Sequence, residues 1–418
     1  MEVDGTGVVL VKEEGGPAPT PAVANPNGHF FSKDAKDISR HYSGHQTAAS
    51  STERAQSTIY MLREFNNWVK AVLISHFGVS NNAALDLCGG KFGDLAKYMQ
   101  LNASYVAVCD IALFSLREGI LRYNKTLVKL GSDAAFNLEQ AGKEVNDESI
   151  LSRISEQAPV VDYIWGDCFL HKLRDHFKQQ GASFPFVSCQ FAMHYAFETE
   201  ERAKMFFHNV GSLLKPKHHF VATLPNKRTI LDRLAATNWE YSPEQPTPPR
   251  LGNEAYHIQF DALSGPADQI PEFGARYTFF LADAVDGVPE YLVDIDTMRR
   301  LAGEAGMELV LAVPFDKFHD EFAEPHSRQY RPSHQSHYEK RGLKPFSQIL
   351  QDSPDQASVI SLYHAVIFVK KGAVSQFSQV LQRPKHPYPR TMRDVVSLYG
   401  QEAKAAEIAE MQRVRSQD

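Results

Sequence analysis

Residues 85–94 read Leu85-Asp86-Leu87-Cys88-Gly89-Gly90-Lys91-Phe92-Gly93-Asp94. An apolar strand runs into glycines, and a helical pattern resumes at Leu95. Glycine lets a backbone turn sharply and approach a ligand closely. In open α/β sheets, ligands sit beyond the carboxyl ends of the strands. Gly89, Gly90 and Gly93 do not fit the GxGxxG spacing of dinucleotide sites. That counts against a pyrophosphate-bearing cofactor and fits a nucleoside cofactor without phosphates. A plain strand–helix turn is the bland alternative.

The flanking sequence extends this start into a fold. Ile59, Leu62, Phe65, Val69, Val72 and Leu73 recur at three- and four-residue steps and predict a helix over about 50–77. Ala83–Leu87, Tyr105–Cys109, Asp162–Trp165, Phe186–Gln190 and His219–Leu224 read as strands. Helical segments near 95–99, 112–123 and 200–214 alternate with them. The expected fold is α/β, a doubly wound and mostly parallel sheet with helices on both faces. Polar residues 125–158 read as a surface insertion, and 240–290, with strands Tyr256–Phe260 and Tyr277–Leu281, as a β-rich insertion. A helix over Thr297–Ala305 and strands Glu308–Val313 and Tyr363–Val369 resume the winding. Residues 320–355, rich in His, Ser, Pro and Gln, read as a long loop. Residues 1–40 read as a disordered tail and 372–418 as an accessory, partly helical tail, leaving 41–371 as the folded domain.

Composition bounds the possibilities. The chain has 418 residues, 44 Lys+Arg against 50 Asp+Glu, a formal charge of −6, and 43% hydrophobic residues. That is ordinary for a globular protein and excludes collagen-like, fully disordered and disulfide-scaffold classes. A chain of this size needs no metal or disulfide to hold a core. Cys88, Cys109, Cys168 and Cys189 contain no CxxC pair, which argues against zinc and for buried thiols in a reducing compartment. No apolar run reaches the roughly 18–20 residues of a membrane span. The acidic start lacks the basic region of a secretory signal. The mild negative charge argues against sequence-independent coating of nucleic acid, while leaving pocket recognition of one RNA feature open.

Two acids follow the glycines at strand ends. Asp110, about twenty residues on, is placed to accept from both hydroxyls of a ribose. Asp167, in Trp165-Gly166-Asp167-Cys168-Phe169, can accept from an adenine amino group or cap a turn. Glycines, then an acid after the second strand and another after the third, is the order expected of class I methyltransferases. The run Phe186-Val187-Ser188-Cys189-Gln190-Phe191-Ala192-Met193-His194-Tyr195-Ala196-Phe197-Glu198 ends a strand among aromatic residues around one histidine. Such a flat pocket suits stacking on a purine, where a core aromatic cluster is the alternative.

Taken together, ERAQSTIYMLREFNNWVKAVLI, LDLCGGKFGDLAKY, FVSCQFAMHYAFETEERAKMFFHNVGSLLKP, TLPNKRTILDRL, GNEAYHIQF, FGARYTFFL, VPEYLVD and SLYHAVIFV run from about Arg54 to Val369. In that order they resemble the eukaryotic mRNA cap guanine-N7 methyltransferases. The CQFAMHYAFE and FNNWVK stretches are far more specific than the glycine segment. The resemblance implies a seven-stranded class I methyltransferase sheet. It also implies an S-adenosyl-L-methionine donor, S-adenosyl-L-homocysteine as product, no metal, and the terminal guanine of GpppN-RNA as acceptor.

The resemblance assigns residues as well. Lys70, Asp86, Cys88, Gly89, Gly90, Asp110, Asp167, Cys168, Gln190 and Tyr195 would form the donor site. Within it Lys70 would hold the carboxylate, Asp110 the ribose, and Asp167 with Gln190 the adenine and sulfonium sides. Asn66, Lys91, Asp94, His194, Pro225, Glu290 and Tyr363 would form the cap site, with His194, Tyr195 and Glu290 as its catalytic group. Asn66 and Lys70 are four residues apart and share one helix face. The family loop usually reads DLGCGKGGD. Here Cys88 and Phe92 stand at two of its glycines, and Gly89 at its cysteine. A Cβ at Cys88 would meet the donor where the family presents bare backbone. Two rivals follow: a cap-binding or scaffold protein with an impaired donor pocket, and a methyltransferase of the same fold with another acceptor. The resemblance further implies a nuclear monomer without membrane contact. Its tails would be the places where RNA polymerase II or other capping enzymes dock.

Overall fold

The computed structural model describes residues 33–44, 57–177, 183–237, 248–261, 270–373 and 386–415. Its centre is set by strands whose residues are buried on both faces, which is why they read as unbroken apolar runs. β1 (Ala83–Leu87) and β2 (Tyr105–Asp110) are buried at every position. β3 (Val160–Trp165), β4 (Phe184–Gln190) and β5 (Leu214–Pro225) complete the parallel part of the sheet. β1 pairs with both β2 and β4. The chain therefore winds one way through β1, β2 and β3 and the other way through β4 and β5. That reversal leaves a crevice at the carboxyl ends of β1 and β4, where ligands bind in open α/β sheets.

The remaining strands frame this core. β6 (Arg250–Gly252), β7 (Tyr256–Phe260), β8 (Arg276–Leu281) and β9 (Val285–Tyr291) form a separate antiparallel sheet within the expected β-rich insertion. β10 (Met307–Pro314) and β11 (Tyr363–Lys370) return to the main sheet, with β11 antiparallel to both β5 and β10. β12 (Val396–Ser397) lies parallel to β3. The order is β10-β11-β5-β4-β1-β2-β3-β12, one strand more than the seven expected.

The helices depart from expectation in four places, each for a physical reason. α1 (Lys33–Gly44) begins inside the segment expected to be a tail, 1–40, and runs into the expected domain. Its apolar side is only Ala35, Ile38 and Tyr42, too sparse to stand out among polar residues. Residues 1–32 lie outside the described set. α2 (Tyr60–Phe77) and α3 (Leu95–Gln100) follow the pattern. α4, expected to stop near Tyr123, runs over Leu113–Gln140. Leu127, Leu130, Ala134 and Leu138 continue its buried stripe through the presumed insertion, and α5 (Asp147–Ser155) follows. Beyond α6 (Glu200–Leu213), α7 (Lys227–Ala235) and α8 (Ile295–Glu304), the expected loop 320–355 is helical. It holds the end of α9 (Phe315–Phe322), then α10 (Pro332–Lys340), α11 (Phe346–Asp352) and the start of α12 (Pro354–Ile360). Short helices with two Pro starts hide their period from a pattern search. Lastly, the C-terminal segment expected to be an accessory, partly helical tail holds the helix α13 (Gln401–Arg415) but also supplies β12 to the main sheet, while 374–385 lie outside the described residues.

Trp68 on α2 organises the helical region after β10. It is fully buried, its indole N–H donates to the His334 carbonyl at 3.0 Å, and its ring meets Phe318 and Tyr338 at 5.3 and 4.6 Å between centroids. Trp68→Ala should lower the unfolding free energy by about 3–5 kcal/mol in urea titration and open 320–355 to protease, as removal of a large buried aromatic does.

Candidate active site

β1 hands the chain to Cys88 at φ 57°, Gly90 at φ 54° and Phe92 at φ 50°. For non-glycine residues the left-handed region costs roughly 1–2 kcal/mol each. Gly89 is required by space: a Cβ there would sit 2.6 Å from Val108 Cγ1 and 3.0 Å from Asp86 Oδ2. Gly90 has open space where a side chain would go. Asp110 locks the turn. Its Oδ2 accepts from the Gly90 N–H at 2.8 Å and its Oδ1 from the Ala112 N–H at 2.8 Å. Burial lifts its carboxyl to about 6 against those two donors.

A cavity opens above this turn. Cys88, Gly90, Asp110, Asp167, Cys168, Gln190 and Tyr195 line it, seven of the ten donor-site candidates. Lys70, Asp86 and Gly89 do not line it. Phe92 is not at the cavity either. Its ring is fully buried beside Tyr98 and Tyr163, with its Cβ under α4 near Gly119. Of the two family departures, only Cys88 meets the cavity, and its sulfur lies 3.9 Å from that of Cys168.

Behind the turn, Lys70 and Lys97 both contact Asp94, at 2.8 and 2.7 Å. Burial alone would raise Asp94, but the two ammonium groups outweigh it and hold it at about 2. Its charge is therefore neutralised by lysines, so it does not face a phosphate as a free group. Asp86 has the opposite fate. Burial, then the Asp94 charge, push it up to about 8, and its Oδ2 has no hydrogen-bond partner. Lys91 is half-buried, and its carbonyl accepts from Arg122 Nε at 3.1 Å.

Of the cap-site candidates, His194 and Glu290 come together beside Tyr195 of the cavity lining, and Tyr363 and Pro225 come together beside its Phe191. His194 is 1% exposed and neither ring nitrogen has a hydrogen-bond partner, although Nε2 lies 3.4 Å from Glu290 Oε1. The β8–β9 pairing sets Tyr277 opposite Glu290, and the Tyr277 hydroxyl donates to Glu290 Oε2 at 2.7 Å. His194 and Tyr195 rings are 4.2 Å apart. Tyr363 pairs in register with Pro225 and meets Phe191 edge-on at 5.3 Å. Asn66 leaves a buried Oδ1 without a partner. Burial raises the Tyr195, Tyr277 and Tyr363 phenols well above their usual value.

Sequence reading missed three contributors. Tyr42 on α1 lines the cavity and shares a 3.1 Å hydrogen bond with the Tyr195 hydroxyl. It stands two residues past the expected tail, where no motif marks it. Arg202 on α6 lines the cavity, pairs with Asp167 Oδ2 at 3.0 Å and with Glu198 at 3.1 Å. A lone arginine in a helix carries no signal without its partners. Tyr277 read only as a strand residue. Among the described residues no group of three His, Cys, Asp or Glu is placed to hold a metal ion, and no helix is long and apolar enough to cross a membrane.

The strand order, the antiparallel β11 and a cavity at the switch point beside a strand-end aspartate that accepts two backbone hydrogen bonds define a class I methyltransferase. Residues 31–371 match the family described as the mRNA (guanine-N(7))-methyltransferase domain, and the chain belongs to that family. It is 34% identical over 287 residues to the mRNA cap guanine-N(7) methyltransferase of Candida glabrata, covering 67% of this chain and 61% of that protein. With the mRNA cap guanine-N(7) methyltransferase 1 of Oryza sativa it shares 32% identity over 71% of this chain and 72% of that one. With the Drosophila melanogaster mRNA cap guanine-N(7) methyltransferase it shares 31% over 68% and 61%. The chain thus spans about three fifths of the length of two of these three relatives. A solved S-adenosylmethionine-dependent methyltransferase from Listeria monocytogenes is similar at 12% identity over 74% of this chain and 99% of that one, with a TM-score of 0.38, too low to add to the assignment.

The Asp86 carboxyl is raised, so the folded protein takes up its proton near pH 8 and the unfolded chain near pH 4. Wild type therefore loses stability as pH rises between those values. Asp86→Asn lacks that loss. Denaturant unfolding should show its advantage over wild type growing from pH 4 to pH 8.

Proposed function

We propose that the protein transfers a methyl group from S-adenosyl-L-methionine to N7 of the terminal guanine of GpppN-RNA. The observation that carries this reading is the buried pair His194 and Glu290, with both histidine nitrogens unpartnered beside a nucleoside-sized crevice. Unpartnered buried polar atoms are costly and mark a place where a ligand completes the bonding. The same test favours the donor: Asp110 is fixed by two backbone N–H groups, with further lone pairs to accept ribose hydroxyls.

The donor, when bound, supplies an electrophilic methyl carbon on a sulfonium. Asp110 would hold its ribose, and Asp167, oriented by Arg202 and by the Phe169 N–H at 2.8 Å, its adenine. Gln190 is fixed by Thr223 and Ser188 at the strand end. Lys70 reaches the amino-acid end only by sharing its ammonium with Asp94. Guanine N7 carries no proton, so no general base is needed. The protein's work is alignment, worth up to about 7–11 kcal/mol in favourable cases. His194, Tyr195 and Tyr363 would bound the purine. Glu290 Oε1 would accept from its N1–H and amino edge, while Tyr277 holds Oε2 in place. Methylation at N7 leaves the ring cationic, and a buried carboxylate in contact with it lowers that barrier. Adenine offers no matching donors at that edge.

Asn66, Lys91 and Pro225 would border the cap, with Lys91 toward the triphosphate. Cys88 narrows the pocket wall, but the turned-away Phe92 ring and the open space at Gly90 favour a working donor site over an impaired one. A nuclear protein acting on nascent capped transcripts is the setting this chemistry fits.

Labelled methyl transfer should reach GpppG-RNA and leave pppG-RNA untouched. Glu290→Gln should cut turnover about 10²-fold or more while S-adenosylhomocysteine affinity holds, since it removes charge aimed at the product cation. Equal methylation of both RNAs would reject the acceptor assignment. The ribose contact needs the Asp110 carboxylate, whose folded value is about 6. Calorimetric affinity for S-adenosylhomocysteine should therefore be full above pH 7 and weaken as pH falls through 6, and Asp110→Asn should flatten that dependence.

A further inference from the structure

We infer that residues 386–398, beyond the 31–371 matched to the family, form a strap that positions the adenosine end of the donor pocket. The inference rests on the donor-binding reading above. β12 sets Val396 opposite Ile164 and Ser397 opposite Trp165. The Leu398 N–H then donates to the Trp165 carbonyl at 2.9 Å. The next three residues of the chain after Trp165 are Gly166, Asp167 and Cys168, and all three line the donor cavity.

Contact at Gly166 is close. A Cβ there would stand 2.4 Å from Leu398 Cγ and 2.5 Å from Leu398 Cβ. The second of these atoms is fixed by the strap backbone, so the glycine and the leucine fit only as a pair. From the other side the Gly166 N–H donates to the Asp110 carbonyl at 3.0 Å. Gly166 is thus held between the ribose-side aspartate and the strap, and its place sets where Asp167 begins.

The upstream half of the strap is anchored by buried charge. Arg390 is 5% exposed, pairs with Asp162 Oδ1 at 2.7 Å and stacks over the Tyr388 ring at 3.9 Å. Its N–H donates to Asn124 Oδ1 at 2.8 Å, and its carbonyl accepts from Asn124 Nδ2 at 2.7 Å. His386 Nδ1 and Ser155 Oγ lie 2.8 Å apart. Only Arg390 of this pair is buried, the Asp162 side chain being 42% exposed; losing that partner would leave the buried guanidinium uncompensated, so these bonds fix one register. A segment that merely covered the open edge of β3 would need only apolar cover or exposed charge.

Positioning and plain stability separate in two measurements on the full chain. In wild type, S-adenosylhomocysteine should slow amide exchange at 396–398, and this readout stands even where a variant fails to fold. Leu398→Ala and Arg390→Gln should each raise the S-adenosylhomocysteine Kd about tenfold, while the KM for capped RNA at saturating donor moves less than about twofold. Exchange at 396–398 indifferent to the ligand overturns the strap. So do variants with wild-type Kd, or a KM for RNA that rises with the donor Kd. A wild type that binds no S-adenosylhomocysteine overturns both strap and donor site. One that binds it but leaves GpppN-RNA unmethylated, with the variants still weakened, removes the acceptor and supports the strap.

Discussion

The carboxylate of Asp110 holds the site together. One oxygen fixes the glycine turn after β1 through Gly90, and the other fixes the start of α4 through Ala112. Its own carbonyl receives Gly166 from the end of β3. Three strand ends are thereby tied to one buried residue, and the cavity they border has a defined shape before any ligand arrives. The cost of burying that acid is visible in its raised carboxyl. A ligand with two adjacent hydroxyls would relieve part of that cost by bonding to the ionised form.

The acids around the turn are held in different states by their neighbours. Asp94 is locked ionised between two lysines, whereas Asp86, earlier in the same segment, is pushed toward its neutral form by burial and by that same Asp94. The positive charge of Lys70 is shared with Asp94. Glu290 is the acid that approaches His194, and it arrives from the inserted antiparallel sheet. The insertion is therefore a functional wall on the proposed reading, built by pairing β9 against β8 so that Tyr277 and Glu290 meet.

Much of this was legible in the residues. β1 spans the predicted Ala83–Leu87, and the acids after β2 and β3 line the crevice as their order implied. Long apolar runs announce themselves because both faces are buried. What stayed hidden depends on contacts between distant segments. α1 has three apolar residues, α10 and α11 start at or next to prolines, and β12 is two residues long. Each gains its structure from what it packs on. The same holds for Tyr42 and Arg202, whose meaning lies in Tyr195 and Asp167, and for Phe92, whose direction no sequence pattern gives. Comparison with the family loop shows that Phe92 is unusual, and only the structure shows that it points into the core.

The crevice draws on both ends of the described chain: Ala35 on α1 lines it, and Leu398 backs one of its walls. During synthesis the α1 side emerges first and waits through more than three hundred residues for the seam that closes on β3. No ribosome-bound intermediate short of that seam holds every wall. Completion of the binding crevice is then set by docking of β12 and not by folding of the central sheet alone.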